Sequence, residues 1–187
     1  DNDLHLQTEN AFHAIHPDYL VLLCLRQAPA AEAITYVSSV DAILERLDHD
    51  EIAWFLNEPY NFLSDYCLTE KNCRLDIDKH QPVLYGDPDA PFFRFDPQFM
   101  VARSEEAQAR LNHLRSIAWE VTEPVRLAPG SLLIIDNRRT AHARSPFTAR
   151  FDGNDRWMQR AFAICNPKHY TERLGKRTRV FELVAQL

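Results

Sequence analysis

The stretch Asp136-Asn137-Arg138-Arg139-Thr140-Ala141-His142-Ala143-Arg144-Ser145-Pro146-Phe147-Thr148-Ala149-Arg150-Phe151-Asp152-Gly153-Asn154-Asp155-Arg156-Trp157-Met158-Gln159-Arg160 decides how this chain is read. Just before it, Val125-Arg126-Leu127 leads through the Pro129-Gly130 turn into Leu132 to Ile135, an apolar run of buried-strand length. Asp136 to Arg139 has turn composition, His142 follows it, and Trp157 to Ile164 reads as the last clear strand. Period two along that strand sends Arg156, Met158 and Arg160 to one face, so two guanidinium groups point the same way. Inward-facing arginines are costly to bury without anions, and they imply carboxylate ligands or protein carboxylates beside them.

Outward from that block, the tail beyond Pro167 carries Lys168, Arg173, Lys176, Arg177 and Arg179 and reads as a solvated basic face. Toward the N-terminus, Ser104 caps a helix with Ala107, Leu111, Leu114 and Ala118 on one face. Phe92 to Phe95 is a strand candidate. Asn57 to Pro91 is polar, proline-punctuated and irregular, with a possible strand at Val83 to Tyr85. Ile52, Phe55 and Leu56 form the stripe of one helix. Val40, Ile43, Leu44 and Leu47 form that of another, opened by a capping box from Ser38 to Asp41. Strands are expected at Leu4 to Phe12, Tyr19 to Leu25 and Ile34 to Val37. Many short strands with helices between two groups of them suggest a mainly β fold, a double-sheet barrel or jelly roll with helical insertions.

Within Gln7-Thr8-Glu9-Asn10-Ala11-Phe12-His13, strand geometry would put Gln7 and Glu9 on one face, converging an amide and a carboxylate. His5 shares that parity but lies about 13 Å from Glu9 along an extended strand, too far for one metal without a bulge. Taken singly, these residues are ordinary. His142 after a turn could be a surface histidine, Glu9 a solvent-facing carboxylate, and Arg156 and Arg160 surface ion-pair partners. His13 and His16 read as structural or surface residues.

Together, the segments around Gln7, His142 and Arg156 resemble the clavaminate synthase-like family of non-haem iron, 2-oxoglutarate-dependent oxygenases, specifically the C-terminal portion of a member. The family includes hydroxylases of free asparagine, arginine and lysine. The resemblance implies a double-stranded β-helix, a cupin-like jelly roll. It also implies Fe(II) and 2-oxoglutarate as cofactors and a free L-amino acid or close derivative as substrate, hydroxylated as 2-oxoglutarate is decarboxylated to succinate. Carried over by position, Glu9 is the carboxylate ligand and His142 the distal histidine of a facial triad. Arg156, fourteen residues after His142, matches the arginine for the far carboxylate of 2-oxoglutarate, with Thr35 as a hydroxyl beside it. Arg160 matches the arginine for the substrate's α-carboxylate, Glu9 could also accept from the substrate amine, and Asp96 lies where relatives place acidic groups near the substrate side chain. Asp96 could equally just start a turn before Pro97.

The departure is Gln7. The family has histidine at that position, and an amide oxygen binds ferrous iron far less well than imidazole. Three explanations stay open: a substitution that silences turnover, a natural variant that binds metal through Gln7 or water, and a degenerate, non-catalytic ligand-binding relative.

Length and composition bound the rest. The 187 residues, 45% apolar and 26% charged, suit a single domain, and the chain opens at Asp1 without methionine, as a catalytic domain lacking its N-terminal part would. A net charge of -6 gives no electrostatic support for a nucleic-acid or anionic-membrane partner. No run is of membrane-spanning length. Cys24, Cys67, Cys73 and Cys165 are scattered without a C-x-x-C pair and read as reduced thiols of a cytoplasmic protein. The oligomeric state is not legible.

Overall fold

A computed structural model of the chain describes residues 4–13, 16–28, 33–63 and 80–174. Cys67, Cys73, the tail residues Lys176, Arg177 and Arg179, and part of the long polar stretch lie outside them. The described chain is mostly β. A four-stranded antiparallel sheet has the order β1-β11-β3-β9, formed by Leu4–Gln7, Thr140–Arg144, Thr35–Ser39 and Glu123–Val125. A three-stranded sheet has the order β10-β2-β12, formed by Leu132–Asp136, Tyr19–Arg26 and Trp157–Ala163.

Helices α1 (Val40–Leu44) and α3 (Glu105–Glu120) pack against Thr35–Ser39 of the larger sheet, and α2 (His49–Asn57) packs against the short strands Gln81–Pro82 and Leu84–Tyr85. Each starts at a side-chain cap that satisfies an orphan backbone donor. Ser39 accepts from Asp41 N, Asp48 forms a capping box with Glu51, and Ser104 accepts from Ala107 N. The α1 cap is therefore Ser39 and not Ser38, whose side chain is fully buried. Val40, Ile43, Phe55, Leu111 and Leu114 pack with Leu6, Ala141 and Ala143 of the sheet into the main core. Because Ala141 and Ala143 face the helices, alternation turns His142 and Arg144 to the opposite face.

Several strands differ from the sequence expectation. β1 ends at Gln7 and does not run on to Phe12, since Thr8 N donates to Phe95 O at 2.6 Å and Asn10 takes a left-handed φ of 54°. The stretch from Asn57 contains β4 (Pro59–Phe62), which pairs with β5 (Gln81–Pro82) and β8 (Met100–Val101). β6 (Leu84–Tyr85) pairs with β7 (Phe92–Phe93). The Leu132 to Ile135 run is not buried on both faces. Leu132 is 56% and Ile134 59% exposed, whereas Ile135 is 3% exposed. Pro167–Leu174 forms a fourth helix, α4, within the tail read as a basic face.

The Asp136-Asn137-Arg138-Arg139 turn is tied down on all sides. Arg138 donates to both oxygens of Asp136 and lies over the Tyr19 and Phe92 rings, and the Asp136 hydrogen bond raises its guanidinium above the ordinary range. Arg139 pairs with Asp41 and donates to the carbonyls of Ala90 and Pro91.

Candidate active site

Gln7 sits directly across the β1–β11 pair from His142, while Leu4 sits across from Arg144. Three steps along β1 thus match two along β11, and this bulge is what delivers Gln7 to the face that carries His142. His5, inside the bulge, is half-buried and does not line the cavity described below.

Glu9 lies beyond the strand end and is fixed by another device. Its backbone N–H donates to Asn137 Oδ1 at 2.6 Å, and Asn137 Nδ2 donates back to Glu9 O at 3.1 Å and to Pro17 O at 2.9 Å. Asn137 is fully buried, so this two-point clamp holds the Glu9 backbone in a dry environment. The Glu9 carboxylate then reaches two partners. Oε1 accepts from Arg160 Nη1 at 3.0 Å, and Oε2 lies 3.5 Å from His142 Nε2. Both Glu9 and His142 are buried, and among the described residues Glu9 Oε2 has no hydrogen-bond partner. Two donors bonded to one metal at about 2.1 Å each lie roughly 3–3.5 Å apart. A buried carboxylate oxygen without a donor, at that distance from an imidazole nitrogen, fits a divalent cation held between them. Among the described residues no cluster of three His, Cys, Asp or Glu side chains could hold a metal, so the third protein donor available by register is the Gln7 amide.

Beside this pair is a cavity of about 110 Å³, lined by Thr35, His142 and Arg144 of the larger sheet with Glu9 just past the end of β1, and by Leu20, Leu22, Met158 and Arg160 of the smaller sheet with Arg156 just before β12. It is well below the roughly 300–1,000 Å³ of drug-sized ligand sites, so it suits a small polar metabolite. Arg156 precedes β12, and a register irregularity between Trp157 and Met158 intervenes, yet it still lines the cavity with Met158 and Arg160. Burial first, and repulsion from Arg144 second, hold its guanidinium below the ordinary range. The loop before Arg156 is closed by Asp155, whose carboxylate accepts from Arg150 N and Phe151 N at 2.8 and 2.7 Å and is lowered below the usual aspartate range by those bonds.

The sequence matches the family described as "Taurine catabolism dioxygenase TauD, TfdA family" over residues 1–162. The chain belongs to this family. It is 34% identical over 164 residues to clavaminate synthase 2 of Streptomyces clavuligerus, covering 85% of this chain and 49% of that protein. It is 36% identical over 168 residues to an L-lysine 3-hydroxylase of Catenulispora acidiphila, covering 88% of this chain and 46% of that protein. A solved asparagine oxygenase in complex with Fe(II), 3-hydroxyasparagine and succinate superposes with a TM-score of 0.83 at 31% identity, over 91% of this chain and 53% of that one. The non-haem iron oxygenase OrfP, in complex with Fe and α-ketoglutaric acid, superposes with a TM-score of 0.79 at 29% identity, over 99% of this chain and 56% of that one. The chain spans about half the length of these relatives.

Of the TauD/TfdA site residues expected from the sequence, Glu9, Thr35, His142, Arg156 and Arg160 line one cavity. Gln7 shares the His142 register and is half-buried, but it does not line the cavity. Arg160 is 53% exposed at the side chain and engages Glu9 directly. Asp96 is buried but does not line the cavity, and its backbone N–H approaches Met100 Sδ at 3.3 Å. Two residues escaped the sequence reading. Asn137 looked like a turn residue, and nothing local ties it to Glu9, 128 positions away. Arg144 did carry a signal, because period two from His142 sends it to the same face.

Proposed function

We propose that this chain carries the iron- and 2-oxoglutarate-binding part of a hydroxylase for a free L-amino acid or close derivative, built on a double-stranded β-helix. The reading is carried by one observation: a buried Glu9–His142 pair 3.5 Å apart opens on a cavity that also holds Arg156 and Arg160. Glu9 and His142 would hold Fe(II), with Gln7 or water beside them. Bound iron and 2-oxoglutarate together supply the oxidant that hydroxylates carbon, with succinate and carbon dioxide as coproducts.

The chain's own residues bind and orient. Arg156 offers a bidentate fork to the far carboxylate of 2-oxoglutarate, and the Thr35 hydroxyl donates beside it. Arg160 exchanges its Glu9 contact for the α-carboxylate of the amino acid, so that Glu9 can accept from the substrate amine. Leu20, Leu22 and Met158 form an apolar wall that keeps competing water from the reacting carbon. The free thiols of Cys24 and Cys165 fit a reducing, cytoplasmic setting. No helix among the described residues is long and apolar enough to cross a membrane.

The test is an anaerobic titration with Fe(II) and 2-oxoglutarate, read by the visible charge-transfer band of the chelate, then succinate formation with lysine, arginine and asparagine. Arg156→Ala should weaken 2-oxoglutarate about 10–100-fold with the fold intact, the equivalent of the roughly 1.5–3 kcal/mol of a charge-assisted bond. Unchanged affinity in that variant would remove Arg156 from the site.

A further inference from the structure

We propose that Asn137 is a positioning residue for metal binding: its side-chain amide takes the place of a strand partner for Glu9 and sets that carboxylate opposite His142. The role rests on the reading of Glu9 and His142 as metal ligands, and it is independent of how 2-oxoglutarate or substrate is held.

Glu9 needs such a device. β1 ends at Gln7, so among the described residues no strand ladder takes up the Glu9 peptide groups, and at Asn10 the backbone turns into the left-handed region with φ 54°. A ligand carried on a turn shifts with its backbone unless something else pins it. Asn137 pins it at two points. Its Oδ1 accepts from Glu9 N at 2.6 Å and its Nδ2 donates to Glu9 O at 3.1 Å, the two-bond exchange that a hydrogen-bonded pair makes across antiparallel strands. Nδ2 also donates to Pro17 O at 2.9 Å, which dictates the orientation of the amide, since a reversed one would set its oxygen against two carbonyls. Asparagine suits this place as its chemical neighbours do not. Aspartate only accepts, a serine or threonine hydroxyl gives one donor, and glutamine is a methylene longer in a fully buried position.

Where the clamp is anchored matters as much as what it holds. Asn137 directly follows β10, its own N–H donates to Asp18 O at 2.8 Å, and β11 with His142 begins at Thr140. Glu9 is thus tied to the turn that leads into the His142 strand, so one tied unit carries both donors and fixes the 3.5 Å between Oε2 and Nε2. Arg160 holds the other carboxylate oxygen, Oε1, at 3.0 Å, so Glu9 is restrained at its side-chain end and at its backbone. Without the amide, Glu9 N–H, Glu9 O and Pro17 O would be left unpaired in a dry interior, and the backbone would move to find new partners. Groups that hold a metal ligand in place commonly change metal affinity about 10–100-fold when they are removed.

Equilibrium titration with Co(II), whose visible ligand-field band reports the donors around it, tests this in the chain as given and in a Gln7→His background. Asn137→Ala and Asn137→Asp should each weaken Co(II) about tenfold or more and shift the band at saturation. Tyr60→Phe is the stability control. It removes a buried hydroxyl that donates to Ala107 O at 3.0 Å, outside the site, and should lower the urea midpoint while leaving Co(II) affinity and band unchanged. Asn137 variants that fold, as judged by urea unfolding, and bind Co(II) with unchanged affinity and band overturn the assignment. An equal loss in Tyr60→Phe also overturns it, by tracing the effect to stability, and so does failure of both Asn137 variants to fold, which would make the amide a requirement of the fold. If neither background binds Co(II), the metal reading itself falls and the positioning role with it.

Discussion

Gln7 is the residue whose identity matters most, because the β1 bulge seats it opposite His142 and two positions before Glu9. Its surroundings are not eroded. Thr8 is locked reciprocally to Phe95, with Phe95 N donating to Thr8 Oγ1 at 3.0 Å, and Asn137 clamps Glu9 from the other side. An imidazole placed there would add a nitrogen donor to the carboxylate and imidazole already present, and would complete a facial triad. Gln7→His should therefore raise Fe(II) affinity by about tenfold or more, given that even outer partners of metal ligands change affinity about 10–100-fold. Anaerobic equilibrium binding of Fe(II), followed by succinate formation, measures it. Equal affinity and equal turnover for the two proteins would mean that Gln7 is itself a working ligand or plays no part.

At the scale of single elements, β10 and β2 show how an apolar run misleads. Leu132 to Ile135 looked continuously buried because every residue is aliphatic, and hydrophobicity without alternation carries no information about faces. The register Ile135↔Leu20 and Leu133↔Leu22 shows which face is inward, since Leu20 and Leu22 line the cavity. Ile134 pairs with Val21 on the outer face. Ile135→Ala should cost about 2–5 kcal/mol of stability, as truncation of a buried aliphatic side chain does. Ile134→Ala should cost less than about 1 kcal/mol, mostly strand propensity. Urea unfolding of the two variants makes the comparison, and similar losses would contradict the register. The long polar stretch misled in the other direction, because β4 and β5 are too short for periodicity to register, and only their pairing makes them strands.

On the scale of the whole molecule, the cavity is where the two sheets meet. Glu9, Thr35, His142 and Arg144 come from one side and Arg156 and Arg160 from the other, with the Glu9–Arg160 contact crossing between them. A dicarboxylate held by Thr35 and Arg156 would tie the sheets together, and a ligand that binds only the folded state stabilises it by mass action. At a concentration 100-fold above Kd the gain is about 2.7 kcal/mol, which for a chain of this size raises the unfolding midpoint by roughly 5–10 °C. Thermal unfolding with Fe(II) and 2-oxoglutarate should show this rise. Arg156→Ala should abolish most of it at the same ligand concentration, and an undiminished shift would show that the ligand is held elsewhere.

The local order of residues sufficed for what is local. The helix cap at Ser104, the aliphatic stripes of α2 and α3, and the alternation of Arg156, Met158 and Arg160 depend on neighbours within a few positions. The spacing of His142, Arg156 and Arg160 was likewise written in the chain, which is why the family could be read from it. Three features came only from the tertiary structure: the one-residue bulge that sets Gln7 against His142, the Asn137 amide that holds the Glu9 backbone across 128 positions, and the meeting of Arg144 and Arg156 in one cavity lining. Each depends on register and packing between segments distant in sequence, and the energy that chooses one register over another resides in those contacts and not in any single segment.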